Sequence, residues 1–195
     1  MSKIVRTYIV PHVDIQDRVD AFLSKYRGKK LIGMHIRCGN PLSDFKDQSS
    51  FLSLADISTF QQCIKKWKEG SKEVLFVASD SLRAKNLIRA YNPSNEVVFE
   101  EKKTVHTMTN TFRETKLDQS RAAFVEMLVM SRCDFFVGTA RSTYSLCAAA
   151  FRGSLPHLVG EKSKVCAIPK SVVFGLSAFY KHVSSLSYNN SLYHG

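Results

Sequence analysis

Three short runs in this chain are apolar almost from end to end: Leu31 to Ile36, Val74 to Ala78, and Phe135 to Val137. Strands that lack polar alternation are buried on both faces, as in parallel sheets covered by helices. The segments between them carry apolar residues at helical spacing. Ile15, Val19, Phe22, Leu23 and Tyr26 mark a helix over 14–26, which Asp14 can cap and Gly28 can end. Phe60, Cys63, Ile64 and Trp67 mark a second helix over 56–68, and a third covers 82–91, where Pro93 stops it. Glu96 to Phe99 reads as a strand, and 101–116 as a polar loop. Asp118 or Ser120 then caps a helix running to about Arg132, Ser142 or Thr143 caps another through Ala150, and a last strand follows at 155–159. Such alternation specifies one doubly wound α/β domain with a parallel sheet and helices on both faces. Its core covers about residues 10–160, and the tail over 171–195 is expected to be helical.

Sheets of this kind bind ligands outside the carboxyl ends of their strands. Here those ends carry polar groups: His35 and Arg37, Ser79 and Asp80, and Thr139 with Ser142. Arg37 is a planar, permanently charged fork able to hold two phosphate oxygens, unless it serves as an ion pair to Asp80 or Asp134. His35 lies two residues earlier, on the same strand face, to contact a ligand or orient the following loop. Glu126 is out of place, because its helical neighbours Ala122, Ala123, Val129 and Met130 are apolar. A buried carboxylate needs a partner. It would find one in a basic side chain, or in the two adjacent N–H donors of guanine's Watson–Crick edge, which adenine does not offer. The run from Gly138 to Ser145 joins a strand to a helix and offers hydroxyls and free N–H groups at a positive dipole end. It is either an ordinary helix cap or a phosphate site, and it matches neither the P-loop nor the dinucleotide fingerprint.

The net charge of +11, from 28 Lys and Arg against 17 Asp and Glu, favours an anionic partner. With no aromatic-rich recognition motif, that partner is not expected to be a nucleic acid. Five widely spaced cysteines without a CxxC pair argue against both a disulfide framework and a zinc site.

Together, Ile32-Gly33-Met34-His35-Ile36-Arg37 with its Gly-Asn turn, Val77-Ala78-Ser79-Asp80, and Glu126 to Thr139 ahead of Ser142 resemble the nucleotide-binding half of GDP-fucose-dependent fucosyltransferases. The resemblance is to the superfamily of α-1,6-, α-1,2- and protein O-fucosyltransferases, and spans about residues 10–160. It implies a Rossmann-like domain equivalent to the C-terminal half of a GT-B glycosyltransferase, with GDP-fucose as donor, no metal or other cofactor, and inverting transfer to a glycan or protein hydroxyl. It further implies that Arg37 holds the diphosphate and stabilises departing GDP. His35, Asn40, Thr139, Ser142 and Thr143 would line the nucleotide, Glu126 would read guanine, and Asp80 would shape the site beneath the loop. Asp44, or Asp47, is the candidate base that deprotonates the acceptor.

Three departures accompany the resemblance. The family more often has Asp at the position of Glu126, and neither loop carboxylate falls at the family's spacing. The N-terminal domain that completes the cleft is not in this sequence. The expectation is a fragment, a domain completed by a second polypeptide, or a degenerate homologue that holds a guanine nucleotide without transferring sugar. As written, the sequence has neither signal nor membrane span and reads as cytoplasmic, whereas a truncated start would leave room for the Golgi or endoplasmic reticulum.

Overall fold

The computed structural model describes residues 7, 9–44, 46–47, 49–67, 72–99, 113–154, 157–160 and 164–166, the backbone alone for 113–116 and 164–166. In chain order the elements are α1 (Val13–Lys25), β1 (Leu31–Ile36), α2 (Leu54–Trp67), β2 (Val74–Ser79), α3 (Leu82–Tyr91), β3 (Glu96–Val98), α4 (Arg113–Ser131), β4 (Phe135–Thr139), α5 (Thr143–Arg152), β5 (His157–Gly160) and β6 (Lys164–Cys166). The sheet order is β3-β2-β1-β4-β5-β6. The first five strands pair in parallel, and β6 lies antiparallel on β5.

The period-two geometry of a strand divides its side chains between two cores. Ile32, Met34 and Ile36 of β1 join Leu75, Val77 and Val137 against Ile57, Phe60 and Ile64 of α2 and Ala84 and Ile88 of α3. On the other face Leu31, Val74, Phe76, Ala78 and Phe136 meet Ile15 and Val19 of α1, Leu128 to Met130 of α4, and Ala148 and Phe151 of α5. Gly33 lets the end of α4 and the turn after it sit tight on β1, for a Cβ there would lie 2.9 Å from Cys133 Sγ and 3.6 Å from Met130 Cα. Among the described residues no helix is long and apolar enough to cross a membrane.

The doubly wound parallel sheet follows the expectation from sequence, with differences at the ends. α1 begins one residue early, its cap being His12, whose ring accepts the Asp14 N–H. α4 begins at Arg113, so Asp118 and Ser120 lie inside the helix and its first turns replace the end of the expected loop. Glu114, Lys116 and Leu117 are good helix formers that extend the element backwards. The remainder of that loop, residues 101–112, and the tail from 171 lie outside the described residues. β5 runs 157–160, and 155–156 also lie outside.

Because β1 is flanked by β2 on one side and β4 on the other, the chain reverses its winding direction there. Open α/β sheets form their ligand crevice at such a reversal, outside the carboxyl ends of the strands, here those of β1 and β4.

Candidate functional site

Thr139, the last residue of β4, fastens the end of β1. Its hydroxyl donates to the His35 carbonyl at 3.0 Å and accepts the Arg37 N–H at 2.8 Å. Across β1, the Ser79 hydroxyl donates to the Ile36 carbonyl at 2.6 Å. These bonds fix where the chain leaves the sheet, and therefore where Arg37 starts.

Asp80 shapes the turn beyond Arg37. Its carboxylate, 4% exposed, accepts the N–H groups of Cys38 at 2.7 Å and Gly39 at 2.9 Å and lies 3.2 Å from the Arg37 guanidinium. Gly39 turns with φ +68°, and a Cβ there would lie 2.2 Å from the Ser49 carbonyl oxygen, so only glycine fits. Asn40 N–H donates to Ser49 and Phe51 N–H to Cys38, at 2.9 Å each, closing the base of a loop over 40–49.

Inside that loop Asp47 ion-pairs with the other arm of the Arg37 fork, while its second oxygen accepts the Ser49 N–H at 3.1 Å. Asp134, the other candidate partner for Arg37, instead accepts the Leu31 N–H at 2.7 Å. Asp44 reaches α3, where both of its oxygens lie 3.1 Å from the Leu82 N–H, at the positive end of the helix. Asn40 is exposed on the loop surface. Burial, with the Asp80 charge adding to it, pushes the Cys38 thiol up to about 12, so this cysteine is no nucleophile at neutral pH.

The opposite wall is α5. Ser142 is its N-cap but makes no side-chain cap hydrogen bond, and Thr143 opens the helix exposed. Arg141 enters the turn at φ +64°, a left-handed conformation that costs a non-glycine residue on the order of 1 kcal/mol. One turn into α5, Ser145 is fully buried, its hydroxyl 2.7 Å from His35 Nδ1 and accepting the Thr139 N–H at 3.1 Å. The His35 ring packs on Tyr144 with centroids 4.5 Å apart. Burial, then the nearby Arg37 charge, lowers the His35 pKa to about 3, leaving a neutral imidazole.

Glu126 reaches this wall through Tyr144. Burial raises the Tyr144 pKa well above its usual value, and the Glu126 charge adds to that. The expectation of a buried carboxylate is corrected, because Glu126 is half-exposed. α4 is buried from Leu128 to Ser131 and opens to solvent over the turn before, which places Glu126 near the rim where the Tyr144 hydroxyl donates to the Ala123 carbonyl.

The fold thus gathers His35, Arg37, Asp80, Thr139, Ser142 and Thr143 at one sheet edge, with Glu126 beside it, Asn40 on the loop and Asp44 anchoring that loop to α3. His35 and Arg37 do not share a face as the alternation rule predicts. β1 ends at Ile36, and the Arg37 guanidinium swings over Phe51, 5.5 Å from its ring, on the α2 side. Sequence reading took Tyr144 and Ser145 only as part of the hydroxyl-bearing run from Gly138 to Ser145 and gave neither a role of its own. The available signal was Gly138 in the strand opposite, where a Cβ would lie 2.7 Å from the Ser145 side chain. Among the described residues no cluster of His, Cys, Asp and Glu is arranged to hold a metal ion.

No known sequence family matches the chain, and no curated protein sequence does. Solved structures share its fold. The fucosyltransferase NodZ from Bradyrhizobium superposes with a TM-score of 0.52 at 16% identity, covering 80% of this chain and 47% of that one. POFUT1 in complex with GDP gives a TM-score of 0.52 at 16% identity, covering 77% and 47%. A variant of Arabidopsis thaliana FUT1 in complex with GDP gives 0.50 at 16%, covering 79% and 35%. This chain therefore spans less than half the length of each structure and corresponds to part of it, a Rossmann-like α/β domain.

Proposed function

We propose that this domain binds GDP-fucose in the crevice between β1 and β4, as the nucleotide-binding half of an inverting, metal-independent fucosyltransferase. The observation that carries the reading is convergence. Arg37, His35, Thr139 and the α5 N-terminus, whose Ser142 makes no side-chain cap, all lie at the carboxyl edge where the sheet reverses direction. The fold shared with fucosyltransferases, two of them solved with GDP, supports it.

In this reading Arg37 holds the diphosphate and meets the negative charge that grows on GDP as the glycosidic bond breaks, with Ser142, Thr143 and the α5 dipole beside it. Glu126 accepts the two guanine N–H donors, Asn40 lines the nucleotide from the loop, and Asp80 holds the loop in place. The acceptor is a glycan or protein hydroxyl, and a second domain or polypeptide completes the cleft. Arg37 is at present shared by two carboxylates, so the diphosphate must displace Asp47, whereas Asp80 is tied down by two backbone N–H groups. The test is calorimetric. GDP should bind the purified chain, and Arg37→Ala should weaken it by about a hundredfold, the worth of two charge-assisted hydrogen bonds at the low end of their range. Unchanged affinity in the variant would place the nucleotide elsewhere.

A second reading, a module that holds guanine nucleotide without transferring sugar, is favoured by one observation. Both candidate bases are engaged, Asp44 by the Leu82 N–H and Asp47 by Arg37. Release of GDP from GDP-fucose by the chain would rule it out.

A further inference from the structure

Ser145 is the one member of the carboxyl-edge network that the nucleotide reading leaves without work, and its geometry assigns it some. Its hydroxyl oxygen already accepts the Thr139 N–H, and it lies 2.7 Å from His35 Nδ1. A hydroxyl has one proton to give. Spent on Nδ1, that proton makes Nδ1 an acceptor, and a neutral imidazole must then carry its own hydrogen on Nε2. We propose that Ser145 is a positioning residue that fixes His35 as the Nε2–H tautomer, turning a buried neutral ring into a standing hydrogen-bond donor for the anionic part of the nucleotide.

The alternative tautomer shows what is at stake. With the proton on Nδ1, Nε2 would carry a bare lone pair, and a phosphate oxygen reaching it would meet an acceptor where it needs a donor. Among the described residues Nδ1 makes the ring's one hydrogen bond, so Nε2 is the edge left for a ligand. Packing on Tyr144 restricts ring rotation, and the absent Cβ of Gly138 admits Ser145 to the network. The charged and titratable groups around the ring are Arg37 at the end of β1, Tyr144 on α5 and, beyond it, Glu126 on α4. Burial, and then the Arg37 charge, oppose a second proton on the ring, so the donor should persist across the neutral range.

The ligand role rests on the nucleotide reading, but the tautomer can be measured without a ligand. Long-range ¹H–¹⁵N correlation spectra of the full chain, with His35 assigned through His35→Gln, should show Nε2 protonated and Nδ1 bare between about pH 5 and about pH 8. Ser145→Ala should lose that pattern and bind GDP about tenfold more weakly, while Ser145→Cys, of similar size, keeps a weaker donor and should fall between. A wild-type His35 that is protonated on Nδ1, or that titrates within this range, overturns the inference whether or not the alanine variant folds. So does a Ser145→Ala protein that keeps both tautomer and affinity. If wild type shows the Nε2–H tautomer but no GDP binding, the tautomer assignment holds and the nucleotide reading fails.

Discussion

The two walls of the crevice are built on opposite principles. The loop after β1 is ionic, with one guanidinium held between Asp47 and Asp80 and the loop base closed by backbone hydrogen bonds. The β4–α5 wall is neutral, with Thr139, Ser145 and His35 satisfying one another while the first turn of α5 lacks a side-chain cap. A neutral wall that ends in a helix N-terminus without a side-chain cap suits an anion as it stands. An ionic wall already holds one, since a carboxylate of its own chain occupies the fork that a phosphate would take. The first therefore supplies preorganisation, and the second sets how strongly a ligand must compete.

Acid should separate the walls most sharply. In the folded chain the His35 pKa is lowered from 6.5 to about 3, so the unfolded state takes up a proton below about pH 6.5 that the folded state refuses. The corresponding stability is fully present above about pH 6.5 and is lost as the pH falls toward about 3. Its total is on the order of a few kcal/mol. Urea unfolding at a series of pH values should therefore show a flatter profile for His35→Gln than for wild type across that window. Equal slopes would mean that the neutral wall does not depend on an uncharged ring.

A smaller effect should sharpen the ionic side. If Asp47 competes with the ligand for Arg37, Asp47→Asn should tighten GDP binding by roughly three- to tenfold, about 1 kcal/mol of relieved competition. If Asp47 instead orients Arg37 for the ligand, the same substitution weakens binding. The sign alone decides between the two in a single titration.

Much of the fold could be read from sequence because a parallel sheet buried on both faces writes itself as apolar runs, and β1, β2 and β4 did so. β6 left no such trace, being three residues long and opening on Lys164. The start of α4 was missed because a cap signal at Asp118 competed with helix-forming residues before it, and the latter prevailed. Arg37, His35 and Thr139 could be placed at the carboxyl edge of the sheet because the strand ends of this topology gather there. Of the two aspartates that close on Arg37, Asp80 was a candidate partner from its place at the end of a strand, whereas Asp47 was not, since it arrives from a loop whose path local sequence does not encode. Ser145 was read only as one hydroxyl of the run after β4, because its contact with His35 depends on packing between a strand and a helix that local sequence does not encode. Glu126 was found as an anomaly, and its half-exposure reflects how far α4 runs past the buried part of the sheet, which periodicity alone does not record.

The central claim is that this crevice takes a guanine nucleotide by its diphosphate and its base together. Parallel titrations of the unmodified chain with GDP and with ADP test it most directly, because the two share the diphosphate and differ in the base. The account predicts that GDP binds about tenfold more tightly or better, the worth of a bidentate contact between Glu126 and guanine. Equal affinity for the two would contradict the role given to Glu126, and binding of neither would contradict the site.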